Sequence, residues 1–340
     1  MTKSSNVDIV FWTEAGQGIG IGHLCRSIVI AKEFRKFGQQ TSFIVNDDPA
    51  AKDRVSAQGF PFELCKLDGK ELPSIIGKAP KIVIFDTKRD ISALIQIIKP
   101  LGHKTILLDN VSPARLRADV VIYPSAHFVN DLNWPGFAGR VYGGAQYVPV
   151  DETYLKAKEK CRMLKHQPPY HILVTMGGSD PRQLTYQIVS SLRCLSQPID
   201  IKVVIGPAFT PNPRLEVMEQ ENEPRLTFIR DQNNLSSLMA DSHVAITAVG
   251  TTLYELITVG VPAIVIANYT EDHRDMELYK KLGMNLLLGF YQDITSLQIQ
   301  KAVSLFVQDA TTWQNMRDKG WQTIDGHGAR RIVECLLANA

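Results

Sequence analysis

Short, largely apolar runs alternate with amphipathic segments along most of the chain. In its first half, runs of four or five residues occur at positions 9–12, 41–45, 82–85, 105–108 and 120–123. Helical patterns lie between some of these runs, at about 24–37, 49–57 and 91–101. Runs that do not alternate with polar residues are typical of strands buried on both faces of a parallel sheet. The first half is therefore predicted to be an α/β domain of the doubly wound type.

The second half repeats this pattern. Its strand candidates are at positions 172–175, 201–205, 226–229, 244–247 and 263–267. The stretch 124–165, which is rich in proline and glycine and ends in a charged helical segment, interrupts the alternation and is interpreted as the inter-domain connection. We predict one domain at 1–155, a second domain at 156–325 and a C-terminal helix at 326–340.

Composition supports two domains and excludes several classes of partner. A chain of 340 residues is too long for most single cores. The net charge of +2 gives no reason to expect nucleic acid as a partner, and no apolar run approaches the ~20 residues of an integral membrane segment. The polar N-terminus shows no signal-peptide pattern. Five dispersed cysteines indicate a reducing compartment without disulfides or a zinc site, so we expect a cytoplasmic protein.

A glycine-rich turn follows the first predicted strand, at positions 16–23. It includes Gly20 and Gly22 and ends in His23, at the start of an amphipathic helix. Its spacing differs from the dinucleotide fingerprint, which disfavours a nicotinamide cofactor. The helix dipole disfavours a positive charge on a histidine placed there, which keeps the imidazole able to accept a proton. Arg26, one turn further on, could hold an anion or an acid. The alternative remains open that the glycines only allow a tight turn and that the histidine has a structural role.

A second turn, about 160 residues later, contains Gly177, Gly178 and Ser179, followed by Asp180. Strand, glycine turn and helix together bring backbone N–H groups and a helix N-terminus to an anionic ligand. An ordinary turn in which Ser179 or Asp180 caps the helix is equally open.

A third turn joins another strand to a helix and contains Gly250, Thr251 and Thr252. Its amides and hydroxyls could bind a second phosphate. Glu255, one turn into the helix, could accept hydrogen bonds from a ribose. A capping box formed by Thr252 and Glu255 fits the spacing equally well.

A fourth polar patch, at positions 268–275, follows the next strand, where a sugar could be recognised. It includes Glu271 and Asp272. A solvated loop that leads into a helix is the alternative.

Several motifs resemble those of one enzyme family. The segments Gly-Ile-Gly-His-Leu-Cys-Arg at 20–26, Val-Thr-Met-Gly-Gly-Ser-Asp-Pro at 174–181 and Asp-Gly-His-Gly-Ala-Arg-Arg at 325–331 resemble the nucleotide-sugar hydrolases of the pseudaminic acid pathway and the related spore-coat polysaccharide proteins. The block 250–255 resembles the wider GT-B glycosyltransferases. The likeness runs in order along nearly the whole chain.

This resemblance implies a GT-B fold of two Rossmann-like domains facing a central cleft, with UDP held mainly by the C-terminal domain. It implies metal-independent hydrolysis of a UDP-linked deoxy-diacetamido sugar with inversion, and it makes His23 the catalytic residue. The turn at 177–179 would lie near the nucleotide, the turn at 250–252 would bind the diphosphate and Glu255 would hold the ribose. Glu271 and Asp272 stand where the hydrolases usually carry an Asn-Gln pair, which puts the identity of the sugar in question.

Two other functions remain open at this stage. A GT-B glycosyltransferase would pass the sugar from a UDP donor to a glycan or lipid acceptor, with His23 activating a hydroxyl instead of water. A non-catalytic protein would bind a nucleotide sugar and form no product.

Overall fold

The computed structural model describes residues 8–16, 20–79, 81–125, 132–230, 232, 234–272, 279–280 and 282–338. The chain divides into two compact units. The first comprises Met1–Val150 and Gly326–Ala340, and the second comprises Asp151–Asp325. The first unit is thus built from two separate pieces of the chain.

A parallel sheet of seven strands forms the centre of the first unit, in the order β3-β2-β1-β4-β5-β6-β7. The strands are β1 (Ile9–Thr13), β2 (Thr41–Val45), β3 (Phe62–Leu64), β4 (Ile82–Asp86), β5 (Lys104–Leu108), β6 (Val120–Tyr123) and β7 (Arg140–Gly143). The helices along this part of the chain are α1 (Gly22–Lys36), α2 (Pro49–Ala57), α3 (Leu72–Ile76) and α4 (Ser92–Ile98).

One face of this sheet is covered by α1 and by the C-terminal helix, Gly328–Leu337. Phe34 of α1 and Leu336 of the C-terminal helix belong to the same buried cluster as Phe11 of β1. Burying one such side chain contributes about 1.5–3 kcal/mol, so the C-terminal helix adds substantially to this core.

A second parallel sheet, of six strands in the order β10-β9-β8-β11-β12-β13, forms the centre of the second unit. The strands are β8 (Tyr170–Thr175), β9 (Ile199–Val204), β10 (Leu226–Ile229), β11 (Val244–Ala248), β12 (Ala263–Ala267) and β13 (Asn285–Phe290). The helices whose bounds lie within the described residues are α5 (Glu152–Arg162), α6 (Leu184–Arg193), α7 (Pro213–Gln220), α8 (Ser236–Ala240), α9 (Thr251–Val259), α10 (Ser296–Gln308) and α11 (Ala310–Thr323).

The predicted α/β class is confirmed, and the strands that the apolar pattern does not predict lie at sheet edges. These are β3, β7 and β13, whose residues are mostly half-buried or exposed. The segment interpreted as a connection contains one of them, β7. An edge strand packs against one neighbour only, so it can carry polar residues and lose the continuous apolar run of a central strand.

Among the residues described, no helix combines the length and the apolar character needed to cross a lipid bilayer.

Candidate functional site

The strand order of the first unit reverses between β1 and β4, because β1 pairs with both β2 and β4. Open parallel sheets bind their ligands in the crevice that such a reversal leaves outside the carboxyl ends of the strands. The glycine-rich turn lies at this end. Gly16 and Gly20 close it by two mutual backbone hydrogen bonds of 3.1 and 2.9 Å, while residues 17–19 are outside the described part. Gly22 begins α1, which places His23 in the first turn of the helix.

His23 forms a short hydrogen bond with Asp86, the last residue of β4. The distance from His23 Nδ1 to Asp86 Oδ1 is 2.5 Å, and the Asp86 side chain is fully buried. An ionised carboxylate can only accept, so Nδ1 carries the hydrogen, and in the neutral form of the ring Nε2 is the nitrogen that holds the lone pair. The His23 side chain is 14% exposed, which leaves the ring within reach of a ligand. The arrangement is that of an oriented general base.

Arg26 completes this cluster. Its Nε and Nη2 atoms donate to Asp86 at 2.9 and 2.5 Å, and its Nη1 donates to Asp109 at 3.0 Å. Arg26 Nη2 is also 3.3 Å from His23 Nδ1, where both nitrogens act as donors toward the same carboxylate oxygen. In this structure the partners of Arg26 are therefore two acids of the chain itself.

Charge pairing keeps Asp86 ionised despite its position. Burial alone would raise the pKa of this carboxyl, but the charge of Arg26 and the hydrogen bonds from His23 and Arg26 hold the pKa below its usual value. Burial likewise opposes the charge on Arg26, and Asp86 and Asp109 more than compensate by raising the pKa of the guanidinium. We call His23, Arg26, Asp86 and Asp109 the histidine cluster.

The sequence shows Asp86 and Asp109 as residues at strand ends but assigns them no role. Their position at the carboxyl ends of adjacent strands is the signal that could have found them. A third acid at this edge has a structural role. Glu14, which follows β1 and is buried, pairs with Arg89 at 2.9 Å and accepts a hydrogen bond from Thr87. These contacts tie the end of β1 to the loop after β4.

The Gly-Gly-Ser turn of the second unit follows β8. Gly177, Gly178 and Ser179 are all exposed. Asp180 is buried, and its carboxylate accepts hydrogen bonds from the amides that open α6, at 3.0 and 2.9 Å. Neither capping candidate is the N-cap residue, which is Gln183, but the Asp180 side chain accepts from the first amides of the helix.

The loop after β9 braces this turn. The amide of Ala208 donates to the carbonyl oxygen of Gly178 at 2.9 Å. A Cβ atom on Gly206 would lie 2.4 Å from the same oxygen, so only glycine permits this close approach.

The third turn places Gly250 at the N-cap of α9, with Thr251 and Thr252 as the first helical residues. The capping box proposed for Thr252 and Glu255 is wrong, because Thr252 lies inside the helix and the N-cap residue is Gly250, which has no side chain. Gly250 and Thr251 are exposed and Thr252 is half-buried. An uncapped helix N-terminus with exposed small residues is suited to a phosphate group.

Glu255 has a protein partner in this structure. The Tyr154 side chain of α5 is buried against it, and both burial and a hydrogen bond with Glu255 raise the pKa of the tyrosine. Helices α5 and α9 therefore meet at the residue predicted to hold a ribose.

The described part of the fourth patch is a short turn after β12. Asp272 Oδ2 accepts hydrogen bonds from the amides of Asn268 and Tyr269, both at 3.0 Å, so one of its oxygens shapes the loop itself. Glu271 lies in the same turn, and residues 273–275 are outside the described part.

The strand order of the second unit reverses between β8 and β11, since β8 pairs with both β9 and β11. The turns at 177–179 and 250–252 follow these two central strands and so flank the reversal. The two glycine turns predicted from the sequence therefore lie at the carboxyl edge of the same sheet, where open parallel sheets bind ligands. Among the described side chains of both units, no group of three or more His, Cys, Asp or Glu residues is arranged to hold a metal ion.

The second unit matches a known domain family. Residues 171–332 match the glycosyltransferase family 28 C-terminal domain. Two solved structures share the fold of the whole chain. The MurG of Acinetobacter baumannii has a TM-score of 0.70 at 14% identity and covers 98% of this chain and 100% of its own. UGT2 of Phytolacca americana, complexed with UDP-2-fluoro-glucose and pterostilbene, has a TM-score of 0.66 at 13% identity and covers 100% of both chains.

Two curated proteins are similar in sequence. An uncharacterized protein of Methanocaldococcus jannaschii is 26% identical over 76% of this chain and 55% of its own length. The spore coat polysaccharide biosynthesis protein SpsG of Bacillus subtilis is 27% identical over 58% of each chain. The chain thus spans between half and three fifths of the length of these relatives. It has a GT-B fold whose second unit matches the glycosyltransferase family 28 C-terminal domain.

Proposed function

We propose that this chain is a metal-independent enzyme that hydrolyses a UDP-linked deoxy-diacetamido sugar at its anomeric carbon, releasing UDP and the free sugar with inversion, in the biosynthesis of a surface glycan or nonulosonic acid. The observation that carries the proposal is the histidine cluster, in which an ionised, buried Asp86 orients His23. The resemblance to SpsG supports a role in polysaccharide biosynthesis.

On this proposal His23 Nε2 removes a proton from the attacking water. Asp86 fixes the ring with Nε2 as the basic nitrogen and stabilises the imidazolium that forms, while Arg26 keeps Asp86 ionised. The water attacks the face of the anomeric carbon opposite the UDP leaving group, and a single displacement inverts the configuration.

The second unit would bind the nucleotide. The amides at the uncapped N-terminus of α9, with the hydroxyls of Thr251 and Thr252, would stabilise the charge that develops on the leaving diphosphate. Gly177, Gly178 and Ser179 would approach the nucleotide as bare backbone. These donors would stabilise the negative charge on the leaving diphosphate, a role that a metal ion would otherwise have.

Contacts to the ribose and the sugar complete the proposal. Glu255 would accept hydrogen bonds from the ribose hydroxyls, with Tyr154 fixing its position. Glu271 would face the sugar, whereas Asp272 would act through the loop that its carboxylate holds. Carboxylates accept from the N–H groups of an acetamido sugar but cannot donate as an Asn-Gln pair would, so the sugar differs from that of the hydrolases with the amide pair.

A glycosyltransferase is the second candidate, and the match to a glycosyltransferase domain favours it. The chemistry at His23 would be the same, with a hydroxyl of a glycan or lipid acceptor in place of water. The two functions differ only in the nucleophile.

NMR of the purified protein with a panel of UDP-linked diacetamido and N-acetyl sugars, without acceptor or metal, tests the proposal. Release of UDP and of a sugar with inverted anomeric configuration is the expected result. Binding without release, followed by turnover when an acceptor is added, would establish the glycosyltransferase. If no sugar of the panel is bound and none is released, both the hydrolase and the glycosyltransferase proposals are contradicted.

A further inference from the structure

Arg182, in the loop between β8 and α6, is held by the loops that follow two other strands of the second sheet. Its Nε atom donates to the carbonyl oxygen of Asn268 at 3.3 Å. Its guanidinium carbon lies 4.5 Å from the ring centre of Tyr291 and 5.6 Å from that of Tyr269. Asn268 and Tyr269 follow β12, and Tyr291 follows β13. We call these four residues the arginine clamp.

The arginine clamp lies at the carboxyl edge of the second sheet, where the two glycine turns also lie. In the strand order, β11 stands between β8 and β12, and the turn 250–252 follows β11. The clamp is therefore on the β12 side of this turn. Neighbouring strands are only about 5 Å apart, so a group attached to a diphosphate at 250–252 can reach the clamp.

The contacts fix the guanidinium although Arg182 is an exposed residue. Stacking on an aromatic ring contributes about 0.5–1 kcal/mol at an exposed site, and here two rings lie beside one arginine. Among the residues that the structure describes, only Nε is used in a hydrogen bond, so Nη1 and Nη2 have no partner there and no carboxylate pairs with the side chain. A ligand that binds these two nitrogens therefore loses less side-chain entropy than one that binds a mobile surface arginine.

Asn268 contributes an unsatisfied acceptor to the clamp. The residue is 5% exposed, and its backbone amide donates to Asp272 Oδ2 at 3.0 Å, which fixes the loop. Its side-chain Oδ1 is buried and accepts no hydrogen bond from any residue of the described part. A buried acceptor without a donor costs about 1–3 kcal/mol, so a donor that comes with a ligand would be bound favourably.

The donors of Arg182 and the acceptor of Asn268 together indicate the kind of group that is bound. An ionised carboxylate or phosphate carries no hydrogen, so it would suit the guanidinium but leave Asn268 Oδ1 without a donor. A secondary amide carries a carbonyl acceptor and an N–H donor on neighbouring atoms and can satisfy both. Tyr269, which is 49% exposed, adds the apolar surface of its ring for a methyl group. These three features match an acetamido group.

We propose that Arg182 is a specificity-determining residue that binds an acetamido substituent of the sugar. Its Nη1 and Nη2 atoms donate to the carbonyl oxygen of the substituent, and Asn268 Oδ1 accepts from the N–H group. Glu271 and Asp272, in the same loop as Asn268, can accept hydrogen bonds but cannot donate them when ionised, so Arg182 supplies the charged donor. This assignment rests on the proposed function, because it requires a nucleotide sugar at this edge of the sheet.

Calorimetric titration of the full chain tests the assignment, with His23→Ala present in every variant so that no sugar is hydrolysed during the measurement. The ligands are UDP, UDP-glucose, UDP-glucuronic acid, UDP-N-acetylglucosamine and a UDP-linked diacetamido-trideoxy sugar. With Arg182 intact, an acetamido sugar should bind about tenfold more tightly than UDP-glucose, as expected for a charge-assisted hydrogen bond. Arg182→Gln should remove this preference and leave the affinities for UDP and UDP-glucose within about twofold.

The matched control is Arg214→Gln, which should retain the full preference. Arg214 is also exposed, belongs to the same unit and lies beside a tyrosine, with its guanidinium carbon 5.8 Å from the ring centre of Tyr186. Arg182→Lys keeps the charge but loses the planar pair of donors, so it should keep the affinity for UDP and only part of the preference. Circular dichroism confirms the folding of each variant, and Arg182→Lys carries the test if Arg182→Gln does not fold.

The outcomes separate this assignment from the proposed function. If UDP binds but no acetamido sugar is preferred over UDP-glucose, or if the preference survives Arg182→Gln, the assignment is wrong and the proposed function can stand. Weaker binding of UDP itself by Arg182→Gln would show that the arginine binds the diphosphate, and a selective loss of UDP-glucuronic acid would show that it binds a carboxylate; either result overturns the assignment. If the protein does not bind UDP, the proposed function fails and the assignment fails with it.

Discussion

Asp86→Asn is the substitution that separates the role of the histidine cluster in folding from its role in catalysis. The carboxylate accepts four hydrogen bonds, one from His23, two from Arg26 and one from Ser27. An amide has the same shape but no charge, so Arg26 keeps only Asp109 as an ionic partner. Breaking a buried ion pair costs about 3–5 kcal/mol, and we expect the free energy of unfolding to fall by about 3 kcal/mol because the pair with Asp109 remains.

The effect on catalysis should be larger than the effect on stability suggests. Without the carboxylate, nothing obliges His23 to carry its hydrogen on Nδ1, and the ring loses the charge that stabilises its protonated form. Removing the carboxylate behind a catalytic histidine lowers kcat by up to about 10⁴-fold in the best-studied case. We expect a loss of about 10³-fold in the release of UDP, which corresponds to about 4 kcal/mol of transition-state stabilisation. Affinity for UDP should not change.

The assay is the rate of UDP release from the sugar that the NMR panel identifies, measured with protein whose folding is confirmed by circular dichroism. Asp109→Asn is the matched control, since Asp109 contacts Arg26 but has no contact with His23 and is 29% exposed. It should lower kcat by no more than about tenfold. In a double-mutant cycle, His23→Ala/Asp86→Asn should be no slower than His23→Ala alone, because Asp86 acts through His23. A folded Asp86→Asn protein with near-normal kcat, or losses that multiply in the double variant, would refute the reasoning.

Three further predictions concern the second unit. His243 is buried, and burial lowers its pKa from 6.5 to about 4, so its contribution to the free energy of unfolding is complete above pH 6.5 and falls by up to about 3 kcal/mol as the pH drops toward 4. Denaturation measured at a series of pH values should show this loss, and the His243→Gln variant should show a weaker dependence on pH. Gly206→Ala places a methyl group against the carbonyl of Gly178 and should weaken UDP binding at least tenfold by calorimetry, and unchanged affinity would show that the turn does not approach the nucleotide. Glu255→Ala should abolish a preference for UDP over 2′-deoxy-UDP in competition binding, and a preference that survives the substitution would exclude Glu255 from the ribose site.

The central strands could be predicted because burial on both faces leaves a continuous apolar run, as in β1 and β4. The same logic fails at an edge such as β7, where a four-residue strand begins with an exposed arginine. Backbone hydrogen bonds to the neighbouring strand hold such a strand in place, so its side chains give little indication that it is a strand.

The residues of the candidate site also differ in how well the sequence alone predicts them. His23 could be found because a glycine turn and a helix start mark it locally. Its partner Asp86 is marked in the sequence only as the residue at the end of a strand, because the two are 63 residues apart and no local motif links them; the pairing of β1 with β4 brings them together. For Thr252 the local signal is misleading, because the capping-box spacing is present but the helix begins two residues earlier than that spacing predicts.

The two-piece construction of the first unit has a consequence for synthesis on the ribosome. Strands β1 to β7 emerge first, but the helix Gly328–Leu337, which covers their shared core with α1, emerges only after the whole second unit. The second unit is continuous in sequence and can complete its core while the first still exposes the apolar surface reserved for Ile332 and Leu336. The nascent chain must therefore carry an unfinished N-terminal sheet through the synthesis of about half of the protein, a period in which chaperone protection of that surface would matter most.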